Sequence, residues 1–338
     1  MIMPSEWNRH SATQLQWPSA QSKWNAERLI KVEELYCRFI EELHFFEPIH
    51  LFVDDLEMRN HVMQRLSGRA VDLDRITVHQ KETGCAWARD CGSVFMKHGS
   101  EFVIYDFDPE EHPSVDINGS HSDYLAEKSG LKKVNGELIL RNNWLDSNGA
   151  GALLVLESPM LEHNKANGFS KPEIEQKLKK EMRCEDIFWV KSGSDDVELP
   201  ARWLNVNTVM ITLNDNVDED GASVSQENVK LLKSAVLEKG KKLNVETLKQ
   251  AAVGKNDEPE DAGLHSFLGS YTGFYIANGA IFTPKFNQEE DTVAVELFKR
   301  YFPGRKIIGI DCTDIAMVKG SFRRISLPFF SSKMRRLS

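Results

Sequence analysis

The stretch Trp87-Ala88-Arg89-Asp90-Cys91-Gly92-Ser93-Val94-Phe95 places a cation and an anion side by side before a glycine and a β-like run. Ser93–Met96 and Glu101–Asp106 then read as two strands joined by the turn His98-Gly99-Ser100. Working outward, β-like apolar runs alternate with amphipathic helical stretches along the whole chain. Lys23–Glu42 spaces Leu29, Ile30, Val32, Leu35, Phe39 and Ile40 at helical intervals, and Pro48–Val53 reads as a buried strand. Leu56–Leu66, Lys171–Glu181, Ser225–Lys239 and Asp291–Tyr301 are predicted helices. Ile76–His79, Ala152–Leu156, Asp186–Val190, Thr208–Leu213, Gly273–Ala277, Ala280–Thr283 and Lys306–Ile310 are predicted strands. The strand–helix–strand cycle recurs about every 60–70 residues, as in a chain built of internal repeats. From pattern alone the fold class is α/β in one domain.

Composition bounds the function. A chain of 338 residues with 41% hydrophobic residues can bury a large core, which excludes wholesale disorder. The formal charge of −9 leaves no cation excess for a general nucleic-acid binder. No apolar run approaches the ~18 residues of a membrane span. The start, Met1-Ile2-Met3-Pro4-Ser5-Glu6, has neither a basic nor an apolar signal segment. Cys37, Cys85, Cys91, Cys184 and Cys312 form an odd, dispersed set, expected as reduced thiols in a cytoplasmic protein. The spacing of Cys85 and Cys91 does not suit zinc, and no cofactor is expected. Asn214–Gly221 imitates a calcium loop, but counting from Asp215 puts Asp220 where glycine is required, so an acidic surface loop is expected. Lys255–Asp261 reads as a second solvated loop.

Two further blocks flank the first. Met3-Pro4-Ser5-Glu6-Trp7-Asn8-Arg9-His10 runs through Thr13 to Trp17-Pro18. Ser270-Tyr271-Thr272-Gly273-Phe274-Tyr275-Ile276-Ala277-Asn278-Gly279 continues to Pro284, Asp291, Phe302-Pro303 and Gly309-Ile310-Asp311. In order and at matching distances, the three blocks resemble the agmatine deiminase family, also called the Porphyromonas-type peptidyl-arginine deiminase family. The resemblance runs from Met3 to about Pro328. It implies the pentein fold, a single-domain α/β propeller of five pseudo-symmetric ββαβ blades. With 338 residues that is about 68 per blade, in keeping with the repeat. The domain is expected over residues 1–330, followed by a basic tail, 331–338.

The resemblance also implies a chemistry. A cysteine thiolate attacks a guanidinium carbon, a histidine handles protons, and two or three carboxylates bind the planar cation through paired hydrogen bonds. Carried over segment by segment, only the guanidinium-binding aspartate survives, as Asp90. The Glu-Gly-Gly segment, eight residues before Gly149-Ala150-Gly151, becomes Arg141-Asn142-Asn143. Counting without gaps from Phe188-Trp189-Val190-Lys191-Ser192-Gly193 puts Arg202 in the histidine slot and Leu204 in the aspartate slot. The cysteine slot, thirteen residues after Asp311, holds Arg324, and Gly-Gly-Ile-His-Cys becomes Gly320-Ser321-Phe322-Arg323-Arg324.

A chain without thiolate, histidine and two of three carboxylates is expected to be a catalytically inactive pseudoenzyme with a binding, assembly or regulatory role. The alternative is a working agmatine or peptidyl-arginine deiminase, the former serving putrescine synthesis, with a displaced nucleophile such as Cys312. Strand alternation, if the stretch is extended, turns Cys85 and Cys91 away from Asp90. His121-Ser122-Asp123 copies a His-x-Asp spelling out of order and is expected on a polar loop. Trp87 and Trp203 are expected in the core. The three slot arginines allow two arrangements: one lays its guanidinium on Asp90 as a plug, or the pocket is charge-inverted to hold a carboxylate or phosphate. Expected partners are a small anionic ligand or a protein, and family habit implies a homodimer.

Overall fold

The computed structural model describes residues 1–18, 24–83, 86–106, 121–192, 198–214, 219–238, 240–252 and 268–331. Its elements begin with β1 (Ala12–Gln16), α1 (Ala26–Leu43), β2 (Ile49–Val53), α2 (Leu56–Ser67) and β3 (Ile76–Gln80). A four-residue helix, α3 (Ala88–Cys91), leads to β4 (Val94–His98), β5 (Glu101–Asp106), α4 (His121–Ser129) and β6 (Lys132–Asn135). A 3-10 turn at Asn142–Trp144 leads to β7 (Leu145–Ser147), β8 (Ala152–Leu156), α5 (Glu157–Ala166), α6 (Lys171–Met182) and β9 (Asp186–Val190). Next come β10 (Ala201–Asn205), β11 (Thr208–Leu213), α7 (Glu219–Ser234) and β12 (Asn244–Lys249), then the small ladder of β13 (Ala251–Ala252) and β14 (Leu268–Gly269). A 3-10 turn at Tyr271–Gly273 opens β15 (Tyr275–Ala277), β16 (Ala280–Lys285), α8 (Glu290–Tyr301) and β17 (Lys306–Asp311). The chain finishes with α9 (Thr313–Ala316), α10 (Phe322–Ile325) and β18 (Ser326–Phe329).

Each blade repeats one plan: an antiparallel pair, a helical crossover, and a third strand parallel to the middle one. β4–β5 is antiparallel and β5–β6 parallel, with α4 between; β7–β8–β9, β10–β11–β12 and β15–β16–β17 follow suit. In the remaining blade β18 pairs antiparallel with β1, Ala12 facing Phe329, and β2 and β3 follow in parallel. Its first strand comes from the far end of the chain, so this blade closes the ring. The result is a single-domain, pseudo-symmetric five-bladed α/β propeller.

The local code accounts for the elements. The middle strands lie under helices on one side and next to neighbouring blades on the other, so they read as unbroken apolar runs, and Ala152–Leu156 is buried throughout. Asn25 caps α1 by accepting from the Arg28 N–H, and the helix buries Leu35, Tyr36, Phe39, Ile40 and Leu43 against the core. Ser170 and Glu173 form a reciprocal capping box on α6. Gly149, at φ +68°, makes the turn between β7 and β8 that a β-carbon would strain.

Several expectations need correction. Asp90 and Cys91 are not extended: they lie in α3, so the alternation argument about Cys91 fails. Cys91 is disulfide-bonded, against the reduced state expected of all five cysteines, while Cys37, Cys184 and Cys312 are free and buried. His121-Ser122-Asp123 forms the first turn of α4 and not a loop. Glu219–Gly221 belongs to α7 and not to a loop, residues 215–218 lie outside the described residues, and that helix ends at Ser234, not Lys239. The short β1, β7, β10, β12 and β18 carry polar residues or few residues in all, and periodicity passed over them. Cys85, Lys255–Asp261 and the tail from 332 onward lie outside the described residues.

Candidate functional site

A short segment precedes the first strand of each blade, and these segments converge on the propeller axis. Four of them are helical turns: α3, Asn142–Trp144, Tyr271–Gly273 and α10. Asp90 sits on α3, whose last turn closes through the Asp90 N–H to the Trp87 carbonyl at 2.9 Å. Gly92 follows because a β-carbon there would lie 2.3 Å from Leu327 Cδ2 and 2.4 Å from the Ala88 carbonyl oxygen.

Arg324 lies across Asp90. Its Nε donates to Asp90 Oδ2 at 2.8 Å, and its Nη2 is 2.7 Å from the same oxygen. Nη1 donates to the Lys319 carbonyl at 2.7 Å, and the guanidinium carbon stands 4.8 Å from the Trp87 ring centroid. The Ser321 hydroxyl caps α10 by accepting from the Arg324 N–H, which fixes the direction of the side chain. Gly320 leaves room for the Trp87 ring, 2.6 Å from where its β-carbon would be. Trp87 is therefore the floor under a guanidinium, not simply core as expected, while Trp203 is fully enclosed.

Arg202 is deeper and has different partners. It is 0% exposed, with Nε on Asp146 Oδ2 and Nη2 on Glu6 Oε2, both at 3.0 Å. Nη1 donates to the carbonyls of Thr272 and Phe274 at 3.0 and 3.2 Å, and the guanidinium carbon lies 4.6 Å from the Phe274 ring centroid. Glu6 also pairs with Arg89 Nη2 at 3.0 Å. Arg323, again 0% exposed, donates to the carbonyls of Asn143 and Leu145 at 3.1 and 2.7 Å. Burial alone would raise the Glu6 carboxyl, but Arg89, Arg202 and Arg323 outweigh it and hold the group down to about 2. Burial, with Arg202 and Arg89 close by, pushes Arg323 down to about 9. A cavity of about 30 Å³ beside this cluster, lined by Glu6, Arg89, Asn142 and Asp146 among others, has room for a water or two.

Arg141 lies near Asp90 and Arg324 without touching either. Burial lowers its pKa; the Asp90 charge raises it and the Arg324 charge lowers it further. Its guanidinium is 5.2 Å from the Trp144 ring centroid. Leu204 is 1% exposed and belongs to the apolar core. Of the five slots, then, Asp90, Arg324 and Arg141 form one group. Arg202 belongs to a second group with Glu6, Asp146, Arg89 and Arg323, and Leu204 to neither.

Glu6, Asp146 and Arg323 were not singled out from the sequence as site residues. The signal was present: Arg202 needs a buried anion to be tolerated, and Asp146 lies in the same segment as Arg141. No free thiol among the described residues suits a nucleophile. Cys312 is 1% exposed and burial, with Asp311 and Glu198 near it, raises its thiol well above the ordinary range. Burial pushes Cys184 up to about 12 and also raises Cys37. Among the described residues no group of three or more His, Cys, Asp and Glu side chains is arranged to hold a metal, and no helix is long and apolar enough to cross a membrane.

A ring of five ββαβ blades recurs among solved structures of other proteins. An amidinotransferase from Microseira wollei shares it at a TM-score of 0.54 and 11% identity, over 99% of this chain and 98% of that one. Nearer in shape are a candidate arginine deiminase from Porphyromonas gingivalis (TM-score 0.83, 22% identity, 97% of this chain and 98% of that one) and the agmatine deiminase of Enterococcus faecalis (0.82, 20%, 98% and 96%). In sequence the chain is 26% identical to a candidate agmatine deiminase of Latilactobacillus sakei, over 96% of this chain and 94% of that one. The sequence profile of the Porphyromonas-type peptidyl-arginine deiminases matches residues 2–328, and the chain belongs to that family.

Proposed function

We propose that this chain is a catalytically inactive member of its family, a binding or regulatory protein whose guanidinium seat is filled by its own Arg324. The observation that carries the reading is the pair of N–H contacts, 2.8 and 2.7 Å, from Arg324 to Asp90 Oδ2 over the Trp87 ring. A side chain in the cysteine slot thus gives Asp90 the kind of cation that the family's chemistry would bring there. The same substitution removes the nucleophile and blocks the seat. The buried free thiols support the reading, since each is held in its unreactive protonated form. Arg202 supports it too: it has no proton to exchange near neutrality and is fully engaged by two carboxylates and two carbonyls.

The test is turnover. Purified protein given millimolar agmatine, or an arginine-containing peptide, releases no ammonia above a heat-denatured control and forms no ureido product. Steady turnover that is lost in Cys312→Ala would overturn the proposal and return the displaced-nucleophile reading.

A further inference from the structure

We propose that Arg141 makes the rim of the filled seat a binding site for a small oxyanion, a carboxylate or phosphate. The inference rests on the reading above, in that Arg324 has already taken Asp90. The group contains two guanidiniums and one carboxylate, and Asp90 Oδ2 is committed to Arg324 twice over. Arg141 is half-buried, yet it makes no hydrogen bond or ion pair with any described residue. Burial and the Arg324 charge lower its pKa more than Asp90 raises it. An arriving anion offsets the Arg324 charge and gives the buried guanidinium a partner. The Arg141 guanidinium carbon stands 5.2 Å from the Trp144 ring centroid, a contact that uses none of its N–H donors in a hydrogen bond. Those donors form a planar fork that matches two oxygens of one carboxylate or phosphate. The Trp144 ring packs at a tilt against His163, with centroids 4.9 Å apart, so the guanidinium stands over a packed ring. A cation such as agmatine meets net positive charge here and is repelled.

The experiment uses the full chain at low ionic strength, titrated separately with inorganic phosphate and with succinate, by calorimetry and by thermal shift. One or both anions bind saturably at millimolar concentration or below and raise Tm, and added NaCl weakens the binding. Arg141→Gln, which keeps the stem over Trp144, weakens it at least tenfold, and Arg141→Lys, with charge but no fork, falls between the two. The relative strength of phosphate and succinate separates a tetrahedral from a planar ligand. Absence of saturable binding by both anions overturns the inference, as does binding that Arg141→Gln leaves unchanged. Should Arg141→Gln not fold, Arg141→Lys decides by the same comparison. Ammonia release is measured on the same preparation, so a failure here leaves the inactivity reading standing, and turnover sinks that reading alone.

Discussion

Asp90 and Arg324 come together from positions far apart in sequence, and what joins them is a carboxylate that burial would otherwise leave uncompensated. Side-chain exposure is 3% for Asp90 and 11% for Arg324, so the pair sits where losing one partner is costly. Breaking a buried pair by removing one member typically costs about 3–5 kcal/mol. Arg324→Ala is therefore expected to unfold at lower urea, by about 3 kcal/mol. The hole it leaves has the shape of a guanidinium, between Asp90 and Trp87. Millimolar guanidinium ion or agmatine should raise the Tm of Arg324→Ala and leave the parent protein unmoved. If both proteins respond alike, Arg324 does not occupy the seat. Spacing brought Arg141, Arg202 and Arg324 forward as candidate neighbours of Asp90. Which arginine would reach Asp90 was not readable, because a guanidinium on a long stem can swing to any carboxylate within its reach.

At the scale of elements, the sheet of β1, β2 and β3 meets α4 through an unusual polar seam. His50 Nδ1 lies 3.0 Å from His79 Nε2, and His79 Nδ1 lies 3.0 Å from the Tyr124 hydroxyl. Phe52 stacks on His79 at 4.7 Å, and the His121 Nε2 lies 3.3 Å from Gln14 Oε1. Burial first, then nearby charge, lowers His50 to about 3 and His79 and His121 to about 4. These rings fold in the neutral form, while the unfolded chain takes up protons near the ordinary histidine value of ~6.5. The unfolded state thus binds more protons between those limits, and stability rises with pH there. The seam's contribution is complete above about pH 6.5 and is lost as pH falls toward 4. The urea midpoint should drop across that window, and His79→Phe, which keeps the stack with Phe52, should flatten the drop. A midpoint equally acid-sensitive in His79→Phe would place the effect elsewhere. The His-x-Asp spelling at 121–123 belongs to this seam, a packing role that no motif reading would assign.

Over the whole molecule, Arg202 acts as the hub that ties blades together. Glu6 comes from the N-terminal segment, Asp146 from β7, Arg202 from β10, and the Thr272 and Phe274 carbonyls from the turn before β15. Arg89 and Arg323 join it from α3 and α10. Arg202→Met would match the volume and leave two buried carboxylates short of their cation. The expected loss is about 3–5 kcal/mol in urea unfolding. Asp146→Asn in the same chain should recover part of it, so the double variant is more stable than additivity allows. Strict additivity would mean that Arg202 and Asp146 are not coupled.

The alternation of strands and helices, the α/β class and the blade-sized period were all legible in the chain, because apolar spacing is a local property that each segment carries by itself. The three blocks also placed the family, since ordered motifs survive at low identity. Closure of the ring by β18 against β1 was not legible: it joins residues from opposite ends, and both strands are short and partly polar. Nor was the division of the slot arginines into one group on Asp90 and another on Glu6 and Asp146. Pairing in a dry interior is settled by which carboxylates lie within about 3 Å once the turns converge, and sequence spacing carries no such distance. Local pattern therefore determined the elements, while only tertiary convergence decided that Arg324 lies on Asp90 and that Arg141 stands near them with no hydrogen bond or ion pair to a described residue.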